Sequence, residues 1–133
     1  MTRDRLATER NVWLATVRPD GRPHLVPIWF VFLRDRFWIA TGAASVKVRN
    51  LMVTPTVCVS LEGGNEPMVA EGIAHLHPSP FPADVVAAFM TKFSWDIASD
   101  HDPDVGVVAL CEIAVSRWIF GAPTRGLSPY SGT

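Results

Sequence analysis

Six short β-prone runs, separated by turn residues and joined by few helical stretches, leave this chain few ways to fold. Val12 to Val17 is the first, closed by the turn signal Pro19-Asp20-Gly21. His24 to Leu33 follows as a second strand. It is apolar on both faces, which suits a strand covered by core on one side and by a ligand or partner on the other. Pro27 interrupts it, cannot donate to a ladder, and marks an edge or bulge where backbone groups come free. After an Arg34-Asp35 turn, Phe37 to Thr41 makes the third strand. Thr56 to Leu61 and Met68 to His77 are the fourth and fifth, with Gly72 permitting a bulge or a close approach. Val105 to Phe120 is long enough for two strands, or for one bent at Glu112 or Ser116.

Helical signals are sparse. Residues 4–10 read as a short polar helix, and Val46 to Met52 as a short inserted one that ends before Pro55. Ala83 to Phe93 is the one longer helix, with Val86, Phe89, Met90 and Phe93 at helical spacing. Repeated βαβ units are absent, which argues against a dinucleotide-binding parallel sheet. Closure of antiparallel strands into a small barrel removes exposed edges and is the better solution. The expected architecture is mainly β: a split β-barrel of about six to seven antiparallel strands with one short and one longer helix. It forms one domain over 1–133, with 1–10 as an N-terminal helix or arm and 121–133 as a C-terminal arm.

Charge narrows the functions. A net charge of −1 offers no global attraction to nucleic acid or an anionic membrane, so any basic feature is local. The longest apolar stretch, Val105 to Ile119, is broken by Glu112 and Arg117, short of a membrane span. The charged start lacks the apolar core of a signal peptide, and the expectation is a cytoplasmic protein. Cys58 and Cys111 sit in apolar strand-like runs and read as reduced core thiols. Only 19% of residues are charged and five are Trp, which suggests that a second subunit covers part of the surface.

No nucleophile, P-loop, zinc-protease or C-x-x-C motif is present. His75 and His77 share a strand face without an evident third ligand, so no metal site is expected. Asp96, Asp100, Asp102 and Asp104 cluster with His101 and read as a solvated connector; His24 reads as structural or exposed. Trp29, Phe30, Phe32, Trp38 and Trp118 suit either a core or the face of a flat aromatic ligand. The strongest candidate is Ser45, Lys47, Arg49 and Asn50, where a strand ending in small residues turns into a helix. A phosphate there would meet a hydroxyl, backbone N–H groups, an ammonium and a guanidinium fork. Nothing in this motif does acid–base chemistry, which suits a cofactor that carries its own reactivity.

Leu14-Ala15-Thr16 with the Asp20-Gly21 turn, the run Pro23 to Phe30, Trp38-Ile39-Ala40-Thr41, Ser45-x-Lys47-x-Arg49-Asn50-Leu51, Pro55, Val57, Val59 and Glu71-Gly72-Ile73-Ala74 together resemble one family. They resemble the pyridoxamine-5′-phosphate-oxidase-like split β-barrel proteins, which bind FMN or the deazaflavin F420. The chain is most similar to their short actinobacterial F420-dependent reductases. The resemblance implies a homodimer with cofactor sites at its interface and an F420-dependent hydride transfer to a small apolar or conjugated substrate. FMN is the alternative cofactor, and a non-catalytic flavin-binding or storage protein the alternative of another class. It further implies cofactor-phosphate binding by Ser45, Lys47, Arg49 and Asn50, with backbone at Pro27, Ile28 and Trp29 facing the ring system. Ala40 and Thr41 would run alongside, and Trp118 would contribute from the last strand. Arg22, Arg34 and Arg36 are candidates for the cofactor's anionic tail. No residue is assigned as catalytic. The chain lacks the longer C-terminal region of pyridoxamine-phosphate oxidase itself, which argues against vitamin B6 oxidation.

Overall fold

The computed structural model describes residues 2–99 and 101–122. In chain order the elements are α1 (Thr2–Thr8), β1 (Asn11–Val17), β2 (Pro23–Trp29), β3 (Val31–Leu33), β4 (Arg36–Gly42) and α2 (Val46–Val53). There follow β5 (Thr56–Leu61), β6 (Val69–His77), α3 (Ala83–Phe93) and β7 (Val108–Phe120). All strand pairs are antiparallel, in the order β2-β1-β5-β6-β7-β4-β3. The fold is therefore mainly β, as expected. No helix among the described residues is long and apolar enough to cross a membrane.

Connectivity forces this sheet to curl. β2 and β3 are its two opposite edges, yet only Phe30 separates them in the chain. Seven flat strands would hold their edges about 29 Å apart at a spacing of about 4.8 Å. The two steps from Trp29 to Val31 reach roughly 7 Å. The edges must come together, and Phe30 is the seam. Its ring is 0% exposed, its amide donates to the Arg10 carbonyl at 3.2 Å, and its carbonyl accepts from Lys92 Nζ on α3 at 2.9 Å. This corrects the expected single strand over 24–33. The run is two strands on opposite edges, with Pro27 on edge strand β2, where its missing N–H costs least.

Two apolar layers hold the structure. Inside the curl, Val12, Leu14, Phe37, Ile39, Val59 and Ile113 pack around Phe30, and Leu6 of α1 plugs one end. Outside it, Trp38, Ala40 and Leu110 pack against Val85, Phe89 and Phe93 of α3. β4 is thus covered on both faces, which is why Phe37-Trp38-Ile39-Ala40 is a continuous apolar run and not an alternating one.

The run at 105–120 is one strand starting at Val108, because Asp102 and Gly106 bridge and hold Val105 in a turn. Its irregularities against β6 fall opposite Ser116 and Ile119, not at Glu112, which pairs regularly with Trp38 and His75. Gly72 lies at the first of these, where a Cβ would meet Ile113 Cγ2 at 2.6 Å and the Ala114 carbonyl at 2.7 Å. Of the expected C-terminal arm, 123–133 lies outside the described residues.

Candidate functional site

A cleft of about 530 Å³ opens where β2 and β4 end, and six residues singled out from sequence line it together: Pro27, Ile28, Trp29, Ala40, Thr41 and Lys47. Their convergence follows from the fold. Barrel closure brings the end of β2 beside β4, and β4 hands the chain through a tight turn to α2. Ser45 caps that helix, its Oγ accepting from the Val48 amide at 3.4 Å. As an edge strand, β2 leaves half of its backbone groups unpaired by β1. Lys47 is half-buried, and desolvation lowers its pKa. Among the described residues it has no ion pair, so the cleft holds an ammonium that lacks a counter-charge within salt-bridge range.

An aromatic wall is built from Trp29 of β2, Phe93 of α3 and Trp95 of the connector after it. Trp29 stacks on Phe93 with centroids 4.4 Å apart and planes 8° from parallel, and Trp95 meets Trp29 edge-on at 6.2 Å. Arg10 lies over the Trp29 and Phe93 rings, at 5.1 and 4.8 Å. Trp95 is fixed by its indole N–H, which donates to Asp102 Oδ2 at 2.7 Å. The other oxygen of Asp102 accepts from the amides of Asp104 and Val105 at 2.8 and 3.1 Å.

Asp102 is only 8% exposed, which corrects the expectation of a solvated connector at that residue; Asp96, His101 and Asp104 are exposed as expected, and Asp100 lies outside the described residues. With Asp104 it belongs to the cleft wall. The signal missed in the sequence was local: Asp102-Pro103-Asp104-Val105-Gly106 is turn chemistry, in which an aspartate folds back on the next amides.

The Asp104 amide, then the Trp95 indole, hold the Asp102 carboxyl below its ordinary value of 3.8. A carboxylate depressed by folding contributes fully above that value and stops contributing as pH falls through the lower folded one. The Trp95 wall is therefore expected to loosen only below about pH 3.8 in the native protein. Asp102→Ala is expected to loosen it at neutral pH, and near-ultraviolet circular dichroism of the tryptophans reads both.

The remaining candidates lie elsewhere. Arg49 follows Lys47 by two residues, roughly 200° around the helix, and lines a different cavity on the far side of α2. Asn50 is buried beneath it and donates from Nδ2 to Thr16 Oγ1 at 2.9 Å. Trp118 packs against Phe37 and Phe32 at 5.9 and 6.5 Å, inside the barrel. It stands eight residues along β7 from Leu110, the partner of Ala40, or roughly 26 Å of strand.

Of the tail candidates, Arg34 is paired with Asp84 at 3.2 Å, Arg22 with Asp20 at 2.8 Å, and Arg36 with Glu112. Glu112 also accepts from His77 at 2.6 Å. Burial opposes its charge, but the Arg36 and His77 bonds prevail and keep its carboxyl below the usual range.

The family described as pyridoxamine 5′-phosphate oxidase matches residues 2–120. No curated protein matches the chain. Similar solved structures include an F420 reductase, 20% identical, with 86% of this chain and 93% of that one covered and a TM-score of 0.68. A heme storage protein from Vibrio cholerae is 19% identical, with 86% and 87% covered and a TM-score of 0.72. A FAD-binding protein from Mesorhizobium loti is 16% identical, with 88% of each chain covered and a TM-score of 0.66. At these identities the likeness is one of fold.

Proposed function

This chain belongs to the pyridoxamine 5′-phosphate oxidase family, and from that premise we propose that it is an F420-dependent reductase acting on a small unsaturated organic substrate. The family contains oxidoreductases, and the deazaflavin is the finer step of this reading. The observation that carries it is the cleft itself. An unpaired, half-buried ammonium lines it, with the free backbone of an edge strand and an aromatic wall that the strand's own Trp29 joins. A ring system with a phosphate arm has those three needs.

When bound, such a cofactor supplies two-electron hydride chemistry. This chain's part is to bind and orient. Lys47 would hold the phosphate, with Ser45 presenting the start of α2 beside it. Backbone at Pro27, Ile28 and Trp29 would meet the polar edge of the ring, and Ala40 and Thr41 would lie along it. Trp29, Phe93 and Trp95 would exclude water from the space left for the substrate. In this reading Arg49 and Asn50 support the site through α2, and Trp118 through the barrel core.

FMN is the second reading, favoured by the FAD-binding relative. A side-by-side fluorescence titration with F420 and FMN separates them. Saturable binding of F420 with weaker FMN supports the proposal, FMN alone supports the second reading, and failure of both overturns cofactor binding in the cleft.

We also propose that two copies associate through the outer face of β1 and β2. Leu25, 60% exposed, and Trp13 stand there beside Cys58, forming an apolar recess of about 360 Å³. Trp29, at the end of the same exposed row of β2, lines the cleft, so a partner on this face would border the cofactor site. Sedimentation at micromolar protein is expected to give the mass of two chains, and Leu25→Glu that of one. A native monomer would reject the association.

A further inference from the structure

The cavity on the far side of α2 shares no residue with the cleft. It measures about 600 Å³ and is lined by Arg18, Asp20, Arg22, His24, Arg49 and Asn50, with Pro19 and Val46 completing the wall. Three elements build it: the β1–β2 turn contributes Arg18, Asp20 and Arg22, the start of β2 His24, and α2 the last two.

Three guanidiniums thus border one open groove, and the carboxylate among them, Asp20, pairs with Arg22 at 2.8 Å. Arg18 and Arg49 have no ion pair among the described residues.

A second observation lies in the wall of the same groove. His24 Nδ1 is buried and has no hydrogen-bond partner, and it is the one such side-chain atom found among the described residues. A buried ring nitrogen left unpaired is costly, and unpaired groups of this kind mark places where a ligand or ion completes the structure.

From these features we infer that the cavity between the β1–β2 turn and α2 is a second anion-binding site, for a small phosphorylated or polycarboxylate ligand. Arg18 and Arg49 supply guanidinium forks, Arg22 adds positive charge from the turn, and the His24 ring lines the wall beside them. The site is independent of what the cleft binds. It also gives Arg49 a direct role that its position opposite Lys47 on α2 does not allow in the cleft.

Phosphate and carboxylate share the oxyanion chemistry, so calorimetric titration of the full chain with pyrophosphate and with triglutamate tells the two sources apart. At least one is expected to bind saturably with a submillimolar dissociation constant; whichever binds tighter names the class. Arg18→Gln is expected to weaken that binding at least tenfold, with far-ultraviolet circular dichroism unchanged. Lys47→Ala, which alters the cleft, is expected to leave it within twofold. No saturable binding of either anion, equal binding by Arg18→Gln, or loss of binding in Lys47→Ala would each overturn the second site. F420 and FMN titrations of the same Arg18→Gln protein report on the cleft separately.

Discussion

Lys47→Ala is expected to weaken binding of the phosphate-bearing cofactor by roughly ten- to a hundredfold, while the protein stays folded. The magnitude is that of one charge-assisted hydrogen bond in a partly desolvated place, about 1.5–3 kcal/mol. Lys47 carries this expectation because it is the only one of the four motif side chains that both lines the cleft and keeps a free charge. Ser45 spends its oxygen on the helix cap, Asn50 its amide on Thr16, and Arg49 faces away. Folding should not suffer, since the Lys47 ammonium makes no ion pair among the described residues and its removal relieves a desolvation cost. Fluorescence titration with F420 or FMN measures the loss, and unchanged affinity would remove the phosphate role from this residue.

Gly72→Val is expected to destabilise the fold by about 3 kcal/mol or more, lowering the melting temperature by roughly 10 °C. The added Cβ alone would lie 2.6 Å from a methyl of Ile113, which is 0% exposed, and 2.7 Å from the Ala114 carbonyl. A side chain could swing away, but the carbonyl belongs to the β7 backbone beside the irregular pairing, so relief requires the two strands to part. Gly64→Ala is the control, because its Cβ would meet nothing within 4 Å. Thermal melts of the two variants should differ clearly, and a native-like melt for Gly72→Val would show that the strands have room to move.

Much of this was legible in the chain. Alternating short runs, turn residues and one helical period of apolar residues imply an antiparallel barrel, because these are local patterns. Pro27 marked an edge for a local reason as well. What escaped was set by contacts distant in sequence. Phe30 looks like any residue of an apolar run; only the pairing of β2 with β1 and of β3 with β4 makes it the passage between two sheet edges. Likewise, Trp95 and Asp102 become a cleft wall because α3 packs on β4, a partner more than forty residues earlier. Lys47 and Arg49 belong to one motif in sequence, yet a two-residue step around a helix sends them to different cavities.

The single-residue crossing at Phe30 also fixes a parity. Side chains alternate between faces along a strand, so the number of residues between β2 and β3 decides which side of each strand looks inward. One residue added there would leave β2 in place but invert β3, turning Val31 and Leu33 away from the layer beneath α3 and bringing Phe32 out of the barrel. Two added residues would restore the alternation and merely slacken the crossing. At this point in the chain the evenness of an insertion matters more than its length, and the two-residue Arg34-Asp35 turn, with both residues at positive φ, keeps the same kind of count between β3 and β4.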